Sequence, residues 1–85
     1  MKIRIRAFSV FTDVLGKELV LELPGRKTIS LNELIDLLTK KYSGLHSLLD
    51  RIEYILLVNG KRVDEKYIIR DGDEVAILPP ASGGL

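Results

Sequence analysis

Leu31, Leu34, Ile35, Leu38 and Tyr42 repeat at i, i+3, i+4, i+7, so one side of a helix carries a single apolar stripe. Ser30 with Glu33 three residues later is a capping box, in which each side chain satisfies an orphan N–H at the helix start. Lys40 and Lys41 suit the negative end of the helix dipole, and Gly44 is placed to close the helix. A helix with one stripe has to lie on an apolar surface. The remaining strong patterns in this chain have strand period, so that surface is a sheet.

Ile3, Ile5 and Ala7 alternate with Lys2, Arg4, Arg6 and Phe8, the period of a half-buried strand. After an ambiguous stretch, Gly16-Lys17 leads into Glu18 to Leu23, where Leu19, Leu21 and Leu23 share a face and Pro24-Gly25 ends the run. The two runs read as a hairpin with a loop longer than a tight turn. Leu45 to Arg51 reads as a short irregular or helical connection. Tyr54 to Val58 is nearly all apolar, as a strand covered on both faces would be. Asn59-Gly60 is a strong hairpin signal, because both residues tolerate positive φ. Lys61-Arg62-Val63 is a short return, and Tyr67-Ile68-Ile69 approaches a turn at Arg70-Asp71-Gly72-Asp73. Glu74 to Leu78 is the last strand, read as an edge. The expected fold class is α+β: a mixed sheet of four or five strands with Leu31 to Tyr42 packed across it. Residues 1–80 form the domain and residues 81–85 a flexible tail containing two glycines.

A chain of 85 residues has room for one core and no deep enclosed active site. Apolar residues at 46% and charged residues at 29% describe a folded, globular chain. A net charge of +1 speaks against general attraction to nucleic acid or an anionic membrane. No cysteine means no disulfide and no thiolate metal site, which fits a reducing cytoplasm. The start, Met1-Lys2-Ile3-Arg4, alternates and so resembles neither a signal peptide nor a membrane span.

Catalytic constellations are absent from the sequence. His46 is the one histidine, has no nucleophile at motif spacing, and reads as a solvated loop residue. Asp71, Asp73 and Glu74 lack the twelve-residue calcium pattern and read as turn residues before the last strand. Lys2, Arg4 and Arg6 form a basic row without aromatic interleaving, the signature of a solvated strand face. No metal ligand set is expected.

The chain leaves its last strand through Pro79-Pro80-Ala81-Ser82-Gly83-Gly84-Leu85. Proline cannot donate to a ladder, so the pair stops the sheet, and the glycines give a slim segment able to thread where a Cβ would clash. A frayed end is the plainer reading of the same residues. Strand parity turns Phe8 and Leu78 outward beside this tail. They read either as the start of a partner surface or as a pair covered by a neighbouring loop.

Taken together, the order of elements, Asp71-Gly72-Asp73-Glu74-Val75-Ala76 and Pro79-Pro80-Ala81-Ser82-Gly83-Gly84 resemble the small subunit of molybdopterin synthase (MoaD). That family belongs with ThiS to the β-grasp sulfur carriers, distant relatives of ubiquitin, and the resemblance covers nearly the whole chain. It implies a β-grasp fold and a carrier with no catalytic residues and no bound cofactor of its own. A ubiquitin-activating-type enzyme adenylates the terminal glycine carboxylate using ATP and magnesium, and sulfur then converts the acyl-adenylate to a thiocarboxylate. Carried onto this chain, Gly84 is the acyl carrier and Gly83 gives passage through a narrow channel. Phe8, Leu78, Pro79, Pro80, Ala81 and Ser82 meet the partners, which are the adenylating enzyme and the molybdopterin synthase large subunit.

Leu85 departs from the family pattern, because it leaves Gly84 with an amide in place of a carboxylate. Three accounts follow: a processing protease removes Leu85, the chain is a relative without carrier chemistry, or the Leu85 carboxylate is itself activated. The expected function is sulfur delivery to a pterin-dithiolene cofactor of molybdenum or tungsten, in the cytoplasm. The alternatives are a ubiquitin-like modifier conjugated to lysines and a β-grasp interaction module.

Overall fold

The structure, a computed structural model, describes residues 1–80. The sequence readings for Ala81, Ser82, Gly83, Gly84 and Leu85 lie outside the described residues, as does the boundary of the tail. Strands β1 (Lys2–Ala7), β2 (Glu18–Glu22), β4 (Ile55–Val58), β5 (Lys61–Arg62) and β7 (Glu74–Leu78) form a five-stranded sheet in the order β2-β1-β7-β4-β5. β1 and β7 run parallel and the other pairs are antiparallel, so the sheet is mixed. Helix α2 (Leu31–Lys41) presents Leu31, Leu34 and Leu38 to the inner face of the sheet, with Leu34 fully enclosed. There the stripe meets Ile3, Ile5 and Ala7 of β1 and Val75 and Ile77 of β7, all buried in one cluster. The alternation of β1 therefore reads as expected.

The N-terminal cap is half of what the sequence predicts. Ser30 Oγ accepts from the Glu33 N–H at 3.1 Å, while the Glu33 carboxylate turns to the Arg26 guanidinium at 2.9 and 3.2 Å. That hydrogen bond holds Glu33 below the usual carboxylate range and raises Arg26. Gly44 does not close α2. The helix stops at Tyr42, whose backbone swings to φ −117°, and the chain re-enters helix α3 (Ser43–Arg51) with Gly44 inside its first turn. A Cβ on Gly44 would lie 3.3 Å from Val14 Cγ2, so glycine is used here for close approach. His46 accordingly sits on a helix and not in a loop. It is exposed, with Asp50 one turn on at 3.5 Å.

Three further features correct the sequence reading. The ambiguous stretch forms a 3₁₀ turn (Ser9–Phe11) and a short helix α1 (Thr12–Leu15), which bury Phe11 and Leu15. Strands β3 (Thr28–Ser30) and β6 (Ile68–Arg70) pair in a second, two-stranded sheet, bringing Ile29 and Ile69 opposite each other in the core. β7 is the central strand and no edge, since β1 flanks one side and β4 the other. Asn59 (φ 51°) and Gly60 (φ 83°) make the expected hairpin between β4 and β5.

Candidate interaction face and tail root

The outer face of the sheet, opposite α2, divides into a charged half and an apolar half. Lys2, Arg4 and Arg6 of β1 lie in the charged half. Arg4 pairs with Glu18 at 2.9 Å and approaches Glu74 at 3.8 Å, Lys2 meets Glu22 at 3.7 Å, and Arg6 meets Glu74 at 4.0 Å. The basic row is therefore neutralised by acids of its own sheet, as a solvated strand face would be. These exposed pairs add little to stability.

The apolar half is set by register. Arg6 lies beside Ala76, and Ala7 beside Ile77, in the parallel β1–β7 pair. The Phe8 N–H continues this ladder by donating to the Ile77 carbonyl at 3.1 Å. Across β7, Leu78 pairs with Ile55 and Ala76 with Leu57. Phe8, Leu78 and Ile55 thus form one row across three strands, with Ala76 and Leu57 in the row behind. Phe8 is 39% exposed, whereas Leu78, Ile55 and Leu57 are half-buried. The Arg6 guanidinium stands 5.4 Å from the Phe8 ring centroid, a cation–π contact that steadies the ring. Ser9, just after Phe8, takes φ 56°, an uncommon value for a residue with a Cβ, as the chain turns sharply away from the sheet.

Strand parity in the sequence finds Phe8 and Leu78 and misses Ile55 and Leu57. The run Tyr54 to Val58 reads as doubly covered. In the structure α2 lies on one side of it only, and Ile55 and Leu57 belong to the outer face. Pro79 and Pro80 follow β7 at this same end, half-buried. Pro80 borders an open hollow of about 430 Å³ with Glu53, Tyr54, Ile55 and Arg62. The apolar rows and the root of the tail are therefore contiguous.

The acidic turn is structural. Asp71 Oδ1 accepts from the Lys2 N–H at 2.7 Å, and Asp73 Oδ2 accepts from the Arg70 N–H at 2.8 Å. Asp73 Oδ1 accepts from Asn59 Nδ2 at 3.0 Å, which ties the turn to the β4–β5 hairpin. Among the described residues no group of His, Cys, Asp or Glu is arranged to hold a metal ion. No helix there is long and apolar enough to cross a membrane.

A mixed sheet grasping one main helix, with a half-apolar outer face beside Pro79 and Pro80, defines a β-grasp protein of the ubiquitin-like class. Within that class the chain belongs to the ThiS family, whose model matches residues 8–84. It is 39% identical over 59 residues to the molybdopterin synthase sulfur carrier subunit of Drosophila yakuba, covering 66% of this chain. The alignment spans 62% of that relative, less than two thirds of its length. The fold matches SAMP1 from Haloferax volcanii with a TM-score of 0.78 at 22% identity, covering 99% of this chain and 100% of that one. It also matches a chain in the complex of subunits 1 and 2 of molybdopterin-converting factor from Helicobacter pylori 26695. There the TM-score is 0.69 at 22% identity, with 99% and 100% covered.

Proposed function

We propose that this chain is a sulfur carrier whose Gly84 is activated by adenylation and converted to a thiocarboxylate for synthesis of a molybdopterin-type cofactor. The observation that carries the reading is the family match itself. It runs through Gly83 to Gly84 and stops before Leu85. The likeness to a sulfur carrier subunit in Drosophila yakuba supports the sulfur chemistry. The Helicobacter pylori complex supports a large-subunit partner.

The chemistry sets an order of steps. Hydrolysis of the Gly84–Leu85 amide by a processing protease frees a carboxylate. One of its oxygens attacks the α-phosphorus of ATP on the activating enzyme, and pyrophosphate leaves. Magnesium is the substrate's counter-ion in that step, neutralising the phosphate charge. A hydrosulfide equivalent then attacks the acyl carbon and displaces AMP, leaving the thiocarboxylate. This chain supplies no acid or base. It supplies a docking surface in Phe8, Leu78 and the rows around them, and a terminus thin enough to reach an enclosed site. The step needs ATP, and the cytoplasm is the compartment proposed for it.

A second reading, a lysine-conjugated modifier, is supported by the likeness to SAMP1, a small archaeal modifier protein. It shares every step up to the adenylate. Intact mass and immunoblots of the protein from its own cells separate the readings. The carrier reading expects loss of Leu85, a mass gain equal to sulfur replacing oxygen, and no ladder of conjugates. A ladder with no thiocarboxylate points to the modifier. Full-length unmodified chain with neither product overturns both.

Phe8→Ala and Leu78→Ala are each expected to weaken binding to the activating enzyme by more than about tenfold, as truncation of an apolar anchor does. Phe8→Ala leaves stability within about 0.5 kcal/mol, and Leu78→Ala costs about 1 kcal/mol because it is partly buried. Titration calorimetry and denaturant melts of the same samples check both. Normal binding by variants that have lost several kcal/mol would place these side chains in the core.

A further inference from the structure

We propose that the free edge of β2, with the groove between it and α2, is a receptor for an extended peptide segment of a partner. The segment carries aliphatic residues at alternate positions and carboxylates at the end lying over Lys40 and Lys41. This surface is separate from the outer face and tail used above.

The backbone supplies the first half of the case. Among the described residues β2 pairs with β1 alone. The Ala7 N–H donates to the Lys17 carbonyl at 3.0 Å, and the Leu23 N–H to the Met1 carbonyl at 2.8 Å. With the intervening register, the odd-numbered residues of this run turn their peptide groups to β1. Glu18, Val20 and Glu22 therefore aim their N–H and C=O groups outward, a template for one more strand. The opposite edge, β5, has only two residues and offers no comparable template.

The side chains select the occupant. A strand added to β2 places alternate side chains opposite Leu19, Leu21 and Leu23, over the helix-side groove. That groove, about 350 Å³, is lined by Leu21, Glu22, Leu23, Leu37, Lys40 and Lys41, two cations against one acid. Among the described residues neither lysine has a carboxylate within 4.0 Å, whereas Glu18 is paired with Arg4 and Glu22 with Lys2. The unbalanced charge at this edge is positive and lies on the helix side. Aliphatic side chains fit the leucines, and carboxylates fit the lysines.

A second copy of the chain is the obvious competitor, and charge opposes it. Antiparallel pairing of two β2 strands about Val20 would set Glu18 of each against Glu22 of the other, which destabilises a sheet. Val20 is 58% exposed on the outer face, with these two acids on either side along the strand. The acids guard the edge against self-association and leave it open to a different chain.

The test is an amide NMR titration of the whole chain with two blocked peptides. One is acetyl-Gly-Thr-Ile-Thr-Val-Thr-Glu-Glu-Gly-amide, and the other has lysine at both glutamate positions. The acidic peptide should shift Glu18, Val20, Glu22, Lys40 and Lys41 and bind at least about tenfold more tightly than the basic one. The Lys40→Glu and Lys41→Glu double variant should reverse that preference. Val20→Pro deletes an N–H that serves no internal bond and should abolish the shifts. The charge-reversal variant keeps the test valid if the proline variant fails to fold. Equal binding of both peptides, shifts confined to Ala76 and Leu78, no shift at millimolar peptide, or dimerisation through β2 would each overturn the proposal.

Discussion

Leu38→Ala is expected to lower the unfolding free energy by about 2–5 kcal/mol, the cost of lost burial plus the cavity left behind. Leu38 is 2% exposed on the α2 stripe, within the cluster that joins β1, β7 and α3. A small domain has roughly 5–15 kcal/mol in total, so this one truncation removes a large share of it. The effect follows from the architecture. α2 contributes Leu31, Leu34 and Leu38 to the one buried cluster, and Leu38 lies inside it, so the truncation leaves a cavity in the core. Asp36→Ala, on the exposed side of the same helix, serves as control and should change stability by less than about 0.5 kcal/mol. Urea unfolding at matched slope measures both. A loss below about 1 kcal/mol for Leu38→Ala would mean that the stripe does not face the sheet.

What could be read from the sequence follows how each element is specified. α2, β1 and β7 declare themselves because period and burial agree over at least five residues. β3 and β6 have three residues each and pair across a long separation, so no local window contains their partner. Gly44 looks like a helix stop, yet its role is to let α3 approach Val14, a tertiary demand that no spacing rule exposes. The central place of β7 is also a property of topology, since a strand's neighbours are set by the whole chain.

The interaction face divides in the same way. Phe8 and Leu78 follow from parity on single strands. Ile55 and Leu57 need the β4–β7 register to reveal which side of the sheet they occupy. The reading of the tail stands apart, because Ala81 to Leu85 lie outside the described residues. The role proposed for Gly84 comes from the family resemblance carried onto Pro79-Pro80-Ala81-Ser82-Gly83-Gly84, and no packing information enters it.

The second large effect is expected at Gly84, where the proposed function puts the activation, and ATP–pyrophosphate exchange measures it. The full chain, a version ending at Gly84, and that version with Gly84→Ala are each incubated with a cognate activating enzyme. An amide carbonyl cannot attack the α-phosphorus of ATP as a carboxylate does, so Leu85 must be absent before exchange begins. The Ala variant adds a Cβ where the terminus threads the enzyme, and misplacement of the reacting carboxylate costs roughly 10²-fold. Exchange is expected from the version ending at Gly84, with about 10²-fold less from the Ala variant and none from the full chain. Equal exchange by the full chain would contradict the account and make the Leu85 carboxylate the activated group, and silence from all three would leave no carrier chemistry.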